Sequence, residues 1–129
     1  MKNEIKILLV DDEADFRQLM SFWLKSKGYS VETAADGNAA IKMLQEKIPD
    51  IVFLDLNMPV VDGLGVLKKI RELDKNLPVI VISAYINDPR AKEAMSYGIS
   101  GVFYKRKNFE EGLSLLETAL RTHKRLKRD

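Results

Sequence analysis

Five side chains with chemical potential stand at the ends of apolar runs. Asp11 and Asp12 close the run Ile5–Val10, and Asp55 closes Ile51–Leu54. Ser83 closes Val79–Ile82, and Lys105 follows Val102–Tyr104. Short apolar runs rich in β-branched residues read as strands buried on both faces. If the strands are parallel, their ends share one edge of the sheet, and three carboxylates, a hydroxyl and an ammonium converge there. Clustered carboxylates repel one another and raise the pKa of the group, and a divalent cation relieves that repulsion. An all-oxygen donor set that leaves room for retained waters suits Mg²⁺. A carboxylate beside such an ion can attack phosphorus and form an aspartyl phosphate. The transferring group then needs positive charge and donors on its equatorial oxygens, which the metal, Lys105 and Ser83 can supply. Each part alone has an ordinary explanation. Paired Asp residues cap helices, Ser83 suits a turn, and Lys105 suits a surface. The argument rests on their recurrence at successive strand ends.

The elements that must position these groups follow a regular pattern. Pro59 cannot join a ladder, so the central strand ends before it, at Asp55. Phe16, Leu19, Met20, Trp23 and Leu24 recur at helical spacing after the first strand, and Gly28 stops that helix. Ser30 to Ala35 reads as a second strand, and Asp36-Gly37-Asn38 as a turn that also caps the next helix. That helix is expected to bury Ala40, Ile41, Leu44 and Ile48 and to end before Pro49. A third helix after Asp62-Gly63 presents Val66, Leu67, Ile70 and Leu73. Asp88-Pro89 starts a fourth, with a weak apolar face of Ala91, Ala94 and Met95, and Gly98 stops it. Phe109, Leu113, Leu116 and Leu120 define the last helix, which can run on into a basic tail. Five βα units in succession imply an α/β fold, a doubly wound five-stranded parallel sheet with helices on both faces.

Composition narrows the chemistry. The 129 residues are 46% hydrophobic and 31% charged, as in one globular domain. With no Cys and one His, at position 123, thiolate sites, disulfides and a His-based triad are set aside. No apolar run approaches the ~20 residues that span a bilayer, and the N-terminus has no signal-peptide pattern, so no membrane association and a cytoplasmic location are expected. The net charge of +2 is uneven. The last nine residues carry five Lys/Arg and one Asp, and the remainder has 16 Lys/Arg against 18 Asp/Glu. The tail is read as a solvated helix end whose cations suit the macrodipole, in preference to a direct nucleic-acid contact.

On these residues the chain resembles a response-regulator receiver domain, the CheY-like phosphoacceptor half of two-component signalling. The resemblance runs over about residues 4 to 121. It rests on Leu9-Val10-Asp11-Asp12-Glu13, Leu54-Asp55-Leu56-Asn57-Met58-Pro59 with Asp62-Gly63, Ser83-Ala84, and Gly98 seven residues before Lys105. The resemblance implies the flavodoxin-like strand order 2-1-3-4-5. It implies Asp55 as phosphoacceptor, with Mg²⁺ on Asp12, Asp55 and the backbone carbonyl of Asn57, and on Asp11 largely through water. It implies Ser83, Ala84 and Lys105 as phosphoryl-binding residues, and positions 57 and 85 (here Asn57 and Tyr85) as gates to water. The receiver domain then spans residues 1–121, with 122–129 as a basic helix end or the start of a linker. Two positions depart from the family. Arg106 stands where Pro usually follows the Lys, so a trans bond is expected there. Val102 stands at the switch position, where the family usually has an aromatic ring, and Phe103 points to the opposite face.

The expected function is a phosphorylation-controlled switch. It is a regulatory domain that catalyses only reactions of its own phosphoryl group. The expected partners are a sensor histidine kinase or phosphotransfer protein and an output domain or protein, with a homodimer through the fourth helix, fifth strand and last helix as a further option. The alternatives are a receiver-fold interaction module that works without phosphorylation and an Mg²⁺-dependent aspartyl-phosphate phosphohydrolase. The latter usually carries an acid two residues after its nucleophile, where Asn57 stands and cannot serve as general acid.

Overall fold

The computed structural model describes residues 4–105 and 108–122. Five strands, β1 (Lys6–Val10), β2 (Ser30–Ala34), β3 (Ile51–Asp55), β4 (Val79–Ser83) and β5 (Gly101–Tyr104), alternate with five helices. The helices are α1 (Ala14–Ser26), α2 (Gly37–Glu46), α3 (Gly63–Leu73), α4 (Pro89–Met95) and α5 (Phe109–Thr122). Every strand pair is parallel and the order is β2-β1-β3-β4-β5. This is the parallel sheet that the alternation of elements implies, in the flavodoxin-like order that the family resemblance implies. The winding reverses between β1 and β3, which opens a crevice at their C-terminal ends. Val10 is level with Leu54 across that junction, so Asp11 and Asp55 come out side by side.

Strand alternation divides the core in two. Leu8, Val10, Val52, Leu54, Val79 and Val81 pack beneath α2, α3 and α4. Ile7, Leu9, Phe53, Ile80, Ile82 and Phe103 pack beneath α1 and α5. β3 and β4 are buried along their whole length, as their unbroken apolar runs require. The helices start where the chain supplies caps. Asp36, Asp62 and Asp88 each accept a hydrogen bond from a first-turn amide, and Pro89 begins α4. Gly63 is needed for a close approach. A Cβ there would lie 2.3 Å from the Asp55 carbonyl oxygen, so only glycine lets α3 start against the end of β3.

Several expected core residues lie elsewhere. Leu19 is 59% exposed, because α1 faces the sheet through Met20, Leu24 and the small Ser21, and Leu19 falls beyond the edge of that stripe. Leu73, in the last turn of α3, is exposed. Met95 is also exposed, and the buried residues of α4 are Ala91 and Ala94. Ile41 and Ile48 are half-buried, with Ile48 beyond the end of α2. The Lys105–Arg106 bond, His123 and the basic tail beyond Thr122 lie outside the described residues.

Candidate functional site

Asp11 and Asp55 emerge from adjacent strands and are fully buried, while Asp12 is exposed. Each buried carboxylate is anchored by a backbone amide two residues on. Glu13 N donates to Asp11 Oδ1 at 2.8 Å, and Asn57 N to Asp55 Oδ1 at 2.9 Å. Asp11, Asp12 and Asp55 can bring one oxygen each to within 4.8 Å of one another. Lys105 reaches in from the end of β5. Its Nζ lies 3.1 Å from Asp11 Oδ2 and 3.5 Å from Asp55 Oδ2, in direct contact with Glu13 Oε1, and 4.9 Å over the ring of Phe16. Its backbone amide donates to the Ser83 carbonyl oxygen at 3.0 Å, which fixes where the side chain starts.

Burial dominates the electrostatics. Loss of water pushes Asp55 up to about 7, with the charges of Asp11 and the contact with Asp12 adding to it, while the Asn57 amide and Lys105 pull the other way. Asp11 is raised for the same first reason, despite the Glu13 amide and Lys105. For Lys105, burial alone would favour the neutral amine. Its contacts with Glu13, Asp55 and Asp11 outweigh that, and its pKa is raised. One ammonium therefore faces three carboxylates in a site with little water.

Such a site fits a hard cation. All its donors are oxygen, and among the described residues two buried oxygens, Asp11 Oδ2 and Asn57 Oδ1, have no hydrogen-bond partner. Asp11 Oδ2 is close to Lys105 as an ion pair, but not in hydrogen-bond geometry. Orphaned buried oxygens beside exposed Asp12 are what an oxygen-liganded divalent ion would satisfy.

The other sequence-selected residues are arranged differently. Ser83 is fully buried at the end of β4, but its hydroxyl is engaged within its own loop. Oγ lies 2.9 Å from the Tyr85 carbonyl oxygen and 3.2 Å from Asp88 Oδ2, and it accepts from Tyr85 N at 3.2 Å. Ala84 is half-buried and Tyr85 is 60% exposed. Val102 is half-buried against the α2–α4 side of the sheet and Phe103 lies on the other side, as alternation requires. Three residues of the site have no site role assigned from the sequence. Glu13 belongs to the acidic run that marks the first strand end, so its position was a usable signal. Phe16 was assigned to the core alone. Asp88 reads as a helix start, and nothing in the spacing distinguishes a cap from a cap that also holds a buried hydroxyl.

With this geometry in hand, the comparisons with known proteins agree. Residues 7–117 match the response regulator receiver domain. The chain is 33% identical over 118 residues to the transcriptional regulatory protein ZraR of Escherichia coli K12, covering 92% of this chain and 27% of that protein. It is 40% identical over 84 residues to the probable transcriptional regulator ycf27 of Guillardia theta, covering 65% and 33%. Among solved structures, chemotaxis protein CheY4 of Vibrio cholerae superposes with a TM-score of 0.83 at 33% identity over 90% of this chain and 98% of that one. NtrX of Brucella abortus gives 0.87 at 32% identity over 95% of this chain and 28% of that one. The chain belongs to the response regulator receiver domain family of two-component systems. It spans about a third or less of the length of these curated relatives. Among the described residues, no helix is long and apolar enough to cross a membrane.

Proposed function

We propose that this chain is a phosphoacceptor switch that receives a phosphoryl group on Asp55. The observation that carries the reading is the burial of Asp55 between a second buried carboxylate and a lysine at the reversal point of the sheet. Asp55 Oδ1 is held by the Asn57 amide, which leaves Oδ2, nearer Lys105, as the attacking oxygen. The donor is a phosphohistidine of a sensor kinase or phosphotransfer protein. An oxygen–phosphorus bond forms, the phosphorus–nitrogen bond breaks, and the imidazole leaves with the electron pair. Mg²⁺ held by Asp12, Asp55 and the Asn57 carbonyl, with Asp11 through water, would neutralise charge on the transferred group. Lys105 exchanges one of its carboxylate contacts for a phosphoryl oxygen, and Ser83 and the Ala84 amide supply donors on the other side.

The output partner is a further domain or protein, reached through the surface around α4. The chain's similarity to longer transcriptional regulators supports an output domain, though not any particular surface for it. Residues 1–121 are assigned to the receiver unit, in a cytoplasmic protein. Incubation with acetyl phosphate and Mg²⁺, read by intact mass, tests the reading. One stable phosphoryl adduct supports it. Continuous release of phosphate points to a phosphohydrolase, and the absence of any adduct points to an interaction module independent of phosphorylation.

A further inference from the structure

The hydroxyl that the proposed function assigns to the phosphoryl group is already occupied. Ser83 Oγ lies 3.2 Å from Asp88 Oδ2 and 2.9 Å from the Tyr85 carbonyl oxygen, so its one proton is shared between two acceptors, and the Ser83 and Asp88 side chains are both buried. Asp88 is also the N-cap of α4. Its Oδ1 accepts from Arg90 N at 2.9 Å and lies 3.5 Å from Arg90 Nε, while its carbonyl oxygen accepts from the amides of Ala91 and Lys92. Among the described residues, Ser83 is the hydrogen-bond partner of Oδ2. The other end of α4 is fastened by a separate device. Arg71 Nε donates to the Tyr97 carbonyl oxygen at 2.6 Å, its Nη2 reaches that of Gly98, and its Nη1 holds that of Leu77. The seven-residue helix thus has a guanidinium anchor at its C-terminal end and one serine–aspartate contact at its N-terminal end.

We propose that Asp88 is a latch on Ser83 and that it carries the state of the phosphoryl site to α4. The proposal rests on the phosphoacceptor reading of Asp55. When Ser83 turns its hydroxyl toward a phosphoryl oxygen, Asp88 Oδ2 is left as a buried carboxylate oxygen without a donor. A buried charged group in that state is strongly unfavourable. Asp88 must then move toward water or toward Arg90, and its carbonyl and Oδ1 carry the first turn of α4 with it. The Arg71 anchor makes the motion a pivot about Tyr97 and Gly98. This route needs no aromatic ring at position 102, which holds Val. Asp88 is a positioning residue, because it acts through Ser83.

Two measurements on the protein test the latch and the relay separately. The first uses amide hydrogen exchange of Ala91 and Lys92 without any phosphoryl ligand, in wild type, Ser83→Ala, Asp88→Ser and the double variant. Serine at 88 keeps a cap on Arg90 N but cannot reach Ser83. Each single change is expected to speed exchange roughly fivefold, the size of one net hydrogen bond, and the double change no further. Rates that multiply in the double variant would overturn the latch. The second measurement uses Mg²⁺ with beryllofluoride as the phosphoryl stand-in and follows amide chemical shifts. In wild type, Asp88–Ala91 shift more than Tyr97 and Gly98. In Asp88→Ser, the shifts around Asp55 persist while those of α4 fall below about half, and Asp88→Asn, which keeps size and cap, falls between. An undiminished α4 response in Asp88→Ser overturns the relay. If wild type shows no shift around Asp55 at all, the phosphoacceptor reading fails and the relay with it, while the exchange data still decide the latch.

Discussion

Asp55 has two properties that pull against each other. Its backbone is fixed by β3, and its carboxylate is buried beside Asp11, with a pKa pushed up to about 7 chiefly by loss of water. A raised carboxylate pKa means that the folded protein binds this proton more tightly than the unfolded chain. The metal-free fold is therefore most stable below about pH 4 as far as this group is concerned, and it loses that contribution as pH rises to about 7. Asp55→Asn removes the titration. The variant is expected to be more stable than metal-free wild type at pH 8, by on the order of 2–4 kcal/mol, with little difference near pH 4 in urea melts. Asp12→Ala should differ. Asp12 is exposed, so metal-free stability should stay within about 0.5 kcal/mol while Mg²⁺ affinity falls, which titration calorimetry would register. The sequence made Asp55 legible because Pro59 ends the strand and the run before it is purely apolar. It could not tell which of Asp11 and Asp12 faces inward as a buried charge, nor that Ser83 turns to Asp88. Those are choices of side-chain direction at the ends of strands, where periodicity stops.

Elements were more legible than their faces. All five strands and five helices fall where the changes of period and the Gly and Pro punctuation put them, because each signal has a backbone cause. The residues that escaped, Leu19, Leu73 and Met95, stand at the margin of a stripe or in a last turn, where packing against neighbours decides the outcome. α4 is the shortest of the five helices. Its buried residues are two alanines, and Arg71 holds its far end. Arg71→Ala should therefore act on two elements at once. It leaves the carbonyl oxygens of Leu77, Tyr97 and Gly98 without their donor, and partial exposure tempers the loss to about 1–3 kcal/mol. Chemical denaturation would measure it, and hydrogen exchange should locate the loosening at Tyr97–Ser100 rather than in β1 or β3.

At the scale of the whole molecule, one sheet separates two cores and presents the site at their shared edge. Phe103 is the largest contribution of β5 to the α1–α5 side, with ring centroids 6.5 Å from Phe16 and 6.4 Å from Phe109. Phe103→Ala should cost about 3–5 kcal/mol, seen as a lower urea midpoint at an unchanged slope. Because Phe16 also lies under Lys105, that loss should disturb the lysine as well as the core. The fold and the family follow from the repeated βα pattern together with residues at its strand ends. The partner and the fate of the signal do not, since they depend on surfaces that other chains complete. The central claim is that the phosphoryl group goes to Asp55. It is tested most directly by treating the protein with acetyl phosphate and Mg²⁺, reducing the product with borohydride, and mapping peptides by mass. An aspartyl phosphate is converted to homoserine by this treatment. Homoserine at position 55 alone, dependent on Mg²⁺, is the expected result. Homoserine at position 11 or 12, or unmodified Asp55 in a protein that has gained a phosphoryl group, would contradict the account.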